Sequence, residues 1–385
     1  MTLEDIVRET KTYYCLECGK CSGLCPISKY SPTYSPRVMV ENALMGLVDN
    51  LVYNKELFSC LTCYACQLKC PSDVDYPLFI RKMRALASNA EQQGDCAHSG
   101  VLQSLMRLMA RNTGKQKRLE WLPDGCSTSE RGDIMLFIGC APYFEPVFED
   151  TGARPLEIAR DCLKILNQLG IEPVLLPDEK CCGHDMLWTG DIETFDKLAH
   201  HNADVISDAG IKKIIFYCPE CYRTFKEDYP EFVQLDCELQ HISEFLVEKI
   251  EEGEIHFNET PRRVTYHDPC RLGRHLGVYE PPRKLIESIP GVELVEMKQN
   301  REESLCCGTS AFTNCNVYSK QIRVERLLEA RATGADLLVT ACPKCQIHFK
   351  CAMVNKGKEK GPDIGIEVID IVNLVASTLR GGNHE

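Results

Sequence analysis

Eighteen of the 24 cysteines in this 385-residue chain fall into two repeated patterns, and any fold must bring those thiols to where the patterns need them. The first is a run of four, Cys15-x-x-Cys18-x-x-Cys21-x-x-x-Cys25-Pro26, which returns as Cys60-x-x-Cys63-x-x-Cys66-x-x-x-Cys70-Pro71. The second is a set of five, Cys140, Cys181, Cys182, Cys218 and Cys221, which returns at nearly the same spacing as Cys270, Cys306, Cys307, Cys342 and Cys345. A disulfide framework is the other common use of so many thiols, but it belongs to small secreted domains that cannot build a core. This chain opens MTLEDIVRET, without an apolar leader, and its 44% hydrophobic and 26% charged residues are ordinary globular usage. The expectation is a cytoplasmic protein with reduced thiols.

Each run of four has the spacing that binds a [4Fe–4S] cube in two-cluster ferredoxins, where one tight loop aims three thiolates at one cube and the fourth cysteine reaches the other. The predicted grouping is Cys15, Cys18, Cys21 and Cys70 for one cube, and Cys60, Cys63, Cys66 and Cys25 for its neighbour. Zinc also uses Cys-x-x-Cys pairs, but it takes four ligands and has no use for a regular fourth Cys-Pro. The stretch from Pro26 to Ser59, with a helical pattern over Val38–Leu47, suggests the mostly helical kind of ferredoxin domain that serves as an electron-transfer module.

From Asp133 onward the chain repeats itself. One half opens with the strand-like run Ile134–Ile138 leading to Cys140, the other with Arg263–Tyr266 leading to Cys270. In each, a helix and a strand follow (Pro173–Leu176; Val292–Val295), then Cys-Cys-Gly, a further helix, and a strand (Ile214–Tyr217; Leu337–Thr340) that ends in Cys-Pro-x-Cys. Amphipathic helices are expected around Ile242–Ile250 and Ile369–Leu379. Alternating strands and helices imply parallel α/β units, whose sites form beyond the carboxyl ends of strands. The fold class is therefore a multi-domain α+β chain: a helical ferredoxin-type domain at 1–90, a helical connector at 91–132, and a duplicated, Rossmann-like α/β cysteine-rich domain at 133–258 and 259–385. In the connector Val101, Leu102, Leu105, Met106, Leu108 and Met109 recur at helical spacing, ahead of the basic residues Arg111, Lys115, Lys117 and Arg118. That pattern reads as a helix packed between domains, or as a basic amphipathic helix resting on a membrane or partner.

The five-cysteine sets are poorly suited to disulfides. Adjacent Cα atoms lie ~3.8 Å apart, below the ~4.4–6.8 Å of relaxed bridges. Gly183 and Gly308 after each Cys-Cys pair would let backbone N–H groups approach cluster sulfides, and Pro219 and Pro343 fix a turn just past a strand. Of the remaining cysteines, Cys162 lies on an apolar helix face and reads as packing; Cys96, Cys126, Cys237, Cys315 and Cys351 carry no ligand pattern. His184, His267, Arg223, Arg271, Arg274 and His275 all fall within a few residues of a set. The cations could bind an anionic substrate, or hydrogen-bond the clusters or cap helices, and the two histidines His184 and His267 are candidates for proton delivery.

The Cys-x(~35–40)-Cys-Cys-Gly-x(~35)-Cys-Pro-x-Cys pattern, present twice behind two ferredoxin quartets, resembles the heterodisulfide reductases of the fused D type over essentially the whole chain. The resemblance implies that each five-cysteine set holds a noncubane [4Fe–4S] cluster. It further implies that a disulfide such as CoM-S-S-CoB is cleaved between the two, and that a flavoprotein, cytochrome b or other partner donates the electrons. Iron–sulfur components of flavin-dependent glycolate or lactate oxidases and of related respiratory complexes share the architecture, and imply a non-catalytic relay instead. A net charge of −12 speaks against nucleic acid, and the apolar runs are of strand length, so membrane contact would come through a partner on its inner face. Four four-iron clusters predict about 16 iron atoms per chain; iron analysis of anaerobically purified protein far below that would leave the cysteine patterns without their expected cofactor.

Overall fold

The computed structural model describes residues 1–111, 114, 117–354 and 364–380; Lys115 of the basic run lies outside them. The first ninety residues contain short helices and no strand among the described residues. Their start signals are local. Ser35 caps the helix Pro36–Leu44 with proline at its first position, and Asp75 caps Tyr76–Asn89, accepting from the Leu78 N–H at 3.0 Å. The latter helix buries Phe79, Ile80, Met83 and Ala87.

Two parallel sheets follow. In the first, β1 (Ile134–Phe137), β2 (Lys213–Phe216) and β3 (Glu238–His241) lie in that order. In the second, β4 (Arg262–His267), β5 (Val292–Leu294), β6 (Leu337–Thr340) and β7 (Glu367–Asp370) lie in the order β5-β4-β6-β7. The central strands are apolar on both faces, as buried parallel strands require: β6 is buried throughout.

The halves match once Val174 is counted. It bridges Met135 in parallel on the outer side of β1, where β5 stands in the second half. The strand expected at Pro173–Leu176 is thus reduced to one residue. Pro173 has no N–H for a ladder, and its carbonyl is taken by Ser129 at 3.1 Å; Val292–Leu294 contains no proline and makes a true strand. The first closing helix, Ile242–Glu251, starts where expected, whereas the second is shorter at the front: Ile371–Thr378 begins only after Asp370, whose carboxylate accepts from the Val372 N–H at 3.0 Å, so Ile369 belongs to β7. The connector helix Val101–Arg111 turns Leu102, Met106 and Met109 inward and leaves Leu108 exposed. Arg118 is no surface cation; its guanidinium is buried against Glu179, 2.6 Å away.

The helical region is clamped between the halves. Arg84, wholly buried, donates to the carbonyls of Leu57 (3.1 Å), Cys60 (2.8 Å) and Trp188 (2.9 Å). Arg81 reaches Asp228 at 2.8 Å. From the second half, Thr313 and Asn314 donate to Phe58 and Ser59, at 3.0 and 3.2 Å. Gly190 shows how close this approach is. Its φ is +91°, and a Cβ there would stand 2.3 Å from the Arg84 carbonyl oxygen. Gly190→Ala is therefore expected to destabilise the chain by well over about 1 kcal/mol, read as a lowered thermal midpoint. Gly210→Ala, at φ +69° in open space, should cost only about 1 kcal/mol of left-handed backbone strain.

Candidate functional site

All four strand-end cysteines fall where parallel sheets gather their sites: Cys140 and Cys218 follow β1 and β2, Cys270 and Cys342 follow β4 and β6. Every cysteine among the described residues is a free thiol. In the first set the thiols touch in the order Cys140, Cys181, Cys182, Cys221, Cys218. In the second the order at equivalent positions is the same: Cys270, Cys306, Cys307, Cys345, Cys342. Hydrogen bonds from Cys140 and Cys182 hold the Cys181 thiol well below its usual value, as those from Cys306 and Cys345 do for Cys307. Five converging soft donors with shared protons fit an iron–sulfur group and suit it better than zinc, which needs four. The backbone fits as well: at Gly139, φ +63°, a Cβ would crowd the Cys221 sulfur at 3.3 Å.

The quartets assemble across each other. Cys70 lines one cavity with Cys15, Cys18 and Cys21, which Cys66 also borders. Cys25 stands with the other run: burial pushes its thiol up to about 12, and Cys60 and Cys63 beside it push the same way. Cys63 also touches Cys306 of the second five-cysteine set, and Cys342 of that set lies close enough to Cys218 of the first to feel its charge. Cys96, Cys126, Cys162, Cys237, Cys315 and Cys351 line neither cysteine cavity, and Cys162 is buried in the core.

Between the two sets lies a buried polar cluster. Lys344, the variable residue of the second Cys-Pro-x-Cys, forms ion pairs with Asp185 and with Glu220, the variable residue of the first. Burial opposes the Lys344 charge, but the two carboxylates outweigh it and hold the ammonium well above its usual range. Asp185, penalised by burial, is nevertheless held below the usual carboxylate range by Lys344 and His184. His184, Asp185 and Glu220 have the composition of a cation site, but the Lys344 ammonium already occupies that role.

Both histidines singled out in the sequence are here, and an arginine fixes each. Arg271 Nε donates to His184 Nε2 at 2.9 Å, so His184 carries its proton on Nδ1, directed at Asp185 Oδ1, 2.9 Å away. Arg326 Nε donates to His267 Nδ1 at 3.1 Å, which leaves the His267 proton on Nε2, beside Cys307. Burial lowers both pKa values, so the rings are neutral. The arginines are spoken for internally. Arg223 pairs with Asp228, Arg274 donates to the carbonyls of Cys63 (2.6 Å) and Ser304 (2.5 Å), and Arg271 also reaches the Thr62 carbonyl (2.5 Å) and His275 (2.5 Å). Sequence reasoning passed over Asp185, Glu220, Lys344 and His348, whose Nδ1 lies 3.2 Å from the Cys307 sulfur. All four sit inside or within three residues of the cysteine motifs, and that adjacency was the available signal.

The family comparisons agree with this geometry. The cysteine-rich CCG domain family matches residues 134–226 and 264–350, and the 4Fe-4S dicluster domain family matches 14–75. The D component of the dihydromethanophenazine:CoB–CoM heterodisulfide reductase of Methanosarcina acetivorans is 31% identical, over 95% of this chain and 93% of its own length. The B component of the fumarate reductase (CoM/CoB) of Methanothermobacter marburgensis is 29% identical over 92% and 71%. The probable iron-sulfur-binding oxidoreductase FadF of Bacillus subtilis is 24% identical over 96% and 60%. Among solved structures, a hypothetical protein from Helicobacter pylori shares the fold over 90% of this chain and 66% of its own, with a TM-score of 0.52 at 9% identity. The protein is thus an iron–sulfur oxidoreductase carrying [4Fe–4S] clusters. It belongs to the D-type heterodisulfide reductase family. Among the described residues no helix is long and apolar enough to cross a membrane.

Removing the cation at the centre of the site should be costly. Lys344→Met leaves two buried carboxylates uncompensated and is expected to destabilise the protein by about 3–5 kcal/mol, with Glu220→Gln in the same chain recovering part of the loss. Asp185 has a depressed pKa, so its contribution is present above the unfolded carboxylate value and fades as pH falls through the folded one. Thermal midpoints measured from pH 7 downward should therefore fall more steeply in the wild type than in Lys344→Met.

Proposed function

We propose that the chain is the catalytic component of a complex of the heterodisulfide reductase type, reducing a small-molecule disulfide such as CoM-S-S-CoB with electrons from a partner. The partner would be a flavoprotein, a cytochrome b or another electron donor, and any membrane contact would be through it. The reading rests on the divisions 1–90, 91–132, 133–258 and 259–385. The overall change is addition of two electrons and two protons to the S–S bond, giving two thiols. Bound clusters would supply one-electron carriers, as cubes at the quartets and noncubane groups at the five-cysteine sets, with iron at the latter able to take a sulfur ligand.

Cys15, Cys18, Cys21 and Cys70 would hold one cube and Cys25, Cys60, Cys63 and Cys66 the other. Cys140, Cys181, Cys182, Cys218 and Cys221 would hold one noncubane group, and Cys270, Cys306, Cys307, Cys342 and Cys345 its counterpart. The observation that carries the proposal is that both five-cysteine sets are complete and that Cys218 and Cys342 approach each other across the Glu220–Lys344 pair. A disulfide cleaved into two thiolates calls for two such sites face to face. The contact of Cys63 with Cys306 favours entry of electrons on the side of the second set. His184 and His267 would serve as the site's histidines, each turning its one N–H inward. The similarity to the probable iron-sulfur-binding oxidoreductase FadF keeps a second reading open, a non-catalytic relay; its complex would be a flavin-dependent oxidase of 2-hydroxy acids or a related respiratory complex.

Electron paramagnetic resonance separates the two. Fully iron-loaded protein, oxidised in the presence of coenzyme M or coenzyme B thiol, should develop a signal that depends on the thiol, and the protein should turn over the corresponding disulfide with a reduced viologen. Silence toward both thiols and their disulfides would leave the relay. In the same assay His184→Gln and His267→Gln, with cluster absorption intact, are expected to slow turnover at least tenfold; unchanged rates in both would remove the histidines from the site.

A further inference from the structure

We propose that Arg84, Arg271 and Arg274 are the buried counter-charge of the cube at Cys25, Cys60, Cys63 and Cys66 and raise its reduction potential, an inference that rests on the assignment of a cube to that quartet. Each guanidinium holds a carbonyl of the short loop Cys60–Cys63. Arg84 Nη2 donates to Cys60 at 2.8 Å, Arg271 Nη1 to Thr62 at 2.5 Å, and Arg274 Nε to Cys63 at 2.6 Å. The three residues are 0%, 2% and 6% exposed.

Their other partners are neutral. Arg84 donates also to the carbonyls of Leu57 and Trp188, Arg274 to those of Glu302 and Ser304, and Arg271 to His184, His275 and the hydroxyls of Thr62 and Ser310. Among the described residues none of the three forms an ion pair with a carboxylate, whereas the buried Arg81, Arg118, Arg223 and Arg283 each do. A buried charge without a counter-ion is strongly disfavoured. The missing anion would be the cluster itself, because four thiolates outweigh the positive core and reduction adds a further negative charge.

The charges that sustain these cations are thiolates. Burial pulls the Arg84 pKa down, and Cys60 opposes that most strongly. Burial acts on Arg274 as well, but Cys63, Cys270 and Cys306 outweigh it and lift the guanidinium above its usual value. In return the Cys63 thiol is held down at about 5, by its bond with Cys306 first, with Arg274 and Arg271 pulling the same way against burial.

Burial by itself would make this cube harder to reduce, since a low-dielectric setting resists added negative charge; it pushes the thiols of Cys25 and Cys66 up. The guanidiniums counter that effect from inside, where screening is weakest. The first quartet is served differently. The cations lining its cavity are Lys20, which is exposed, and Arg37, which is 37% exposed and already paired with Glu41, so water and salt screen both.

A redox titration of the iron-loaded full chain, followed by electron paramagnetic resonance, tests the assignment. Cys18→Ser, at the exposed ligand of the first quartet, identifies the component of that cube. Arg84→Gln should lower the midpoint of the other cube by at least 59 mV, tenfold in a one-electron equilibrium, with the first cube and the iron content as in the wild type. Arg84→Lys, which keeps the charge, should recover most of the shift. Arg274→Gln should lower the same component, and serves where Arg84→Gln does not fold. Midpoints within threefold of wild type in the folded glutamine variants, or equal shifts in Arg84→Gln and Arg84→Lys, would overturn the assignment while leaving the cubes in place. A wild type without two cube signals would overturn the reading of the quartets, and this inference with it.

Discussion

Arg271 is the point at which the three parts of the molecule meet. Its guanidinium takes the Thr62 carbonyl and hydroxyl from the second quartet loop, His184 from the first half, and His275 and Ser310 from its own half. It does so buried, over the face of Trp188 at 4.5 Å. A planar fork of five N–H groups can reach this many acceptors at once, where a lysine offers three donors from a single atom. Because Arg271 directly follows Cys270, the position of that cysteine is tied to the quartet loop and to the opposite half by a single side chain.

The duplication is close in backbone and unequal in charge. The Cys-Pro-x-Cys turns put Glu220 and Lys344 at equivalent places, and the two pair with each other across the interface. After Cys-Cys-Gly the first half continues with His184 and Asp185, the second with the uncharged Thr309 and Ser310. Cys140 is followed by Ala141, Cys270 by Arg271. Had the halves stayed identical, like charges would face each other in a buried space, where repulsion is screened least. Divergence at these positions lets the halves close on one another and gives the two sets different surroundings.

Much of this was legible because it depends on local chemistry. The quartets, the pairing of Cys-Cys-Gly with Cys-Pro-x-Cys, and strands such as Leu337–Thr340 are set by short-range spacing and apolar runs. The strands β3 and β7 were not legible. Glu238–His241 and Glu367–Asp370 mix polar and apolar residues, as edge strands do, and each runs directly into a helix whose amphipathic pattern hides the boundary. The pairing of Lys344 with Asp185 joins residues 159 apart, and no period in the sequence encodes it. Arg118 misled for the opposite reason. Its place in a basic run suggested a surface charge, while its buried partner Glu179 lies 61 residues away.

The engagement of the arginines constrains how any anionic disulfide could be recognised. Arg223, Arg271, Arg274 and Lys344 each hold internal carboxylates, carbonyls or histidines. Releasing one to a substrate would strand its buried partner, a loss of about 3–5 kcal/mol for an ion pair. The space beside the first set has Phe144, Pro155, Pro343 and Ile347 on its apolar side, and His184, Asp185, Glu220 and Lys344, already paired with one another, on its polar side. If the proposed substrate has charged ends, their recognition would fall to groups nearer solvent, where an incoming anion displaces water in place of a buried partner. The internal ion pairs Lys344–Asp185 and Lys344–Glu220 join the two halves between the cysteine sets, and under the proposed reading they would hold that spacing whatever a substrate carried at its ends.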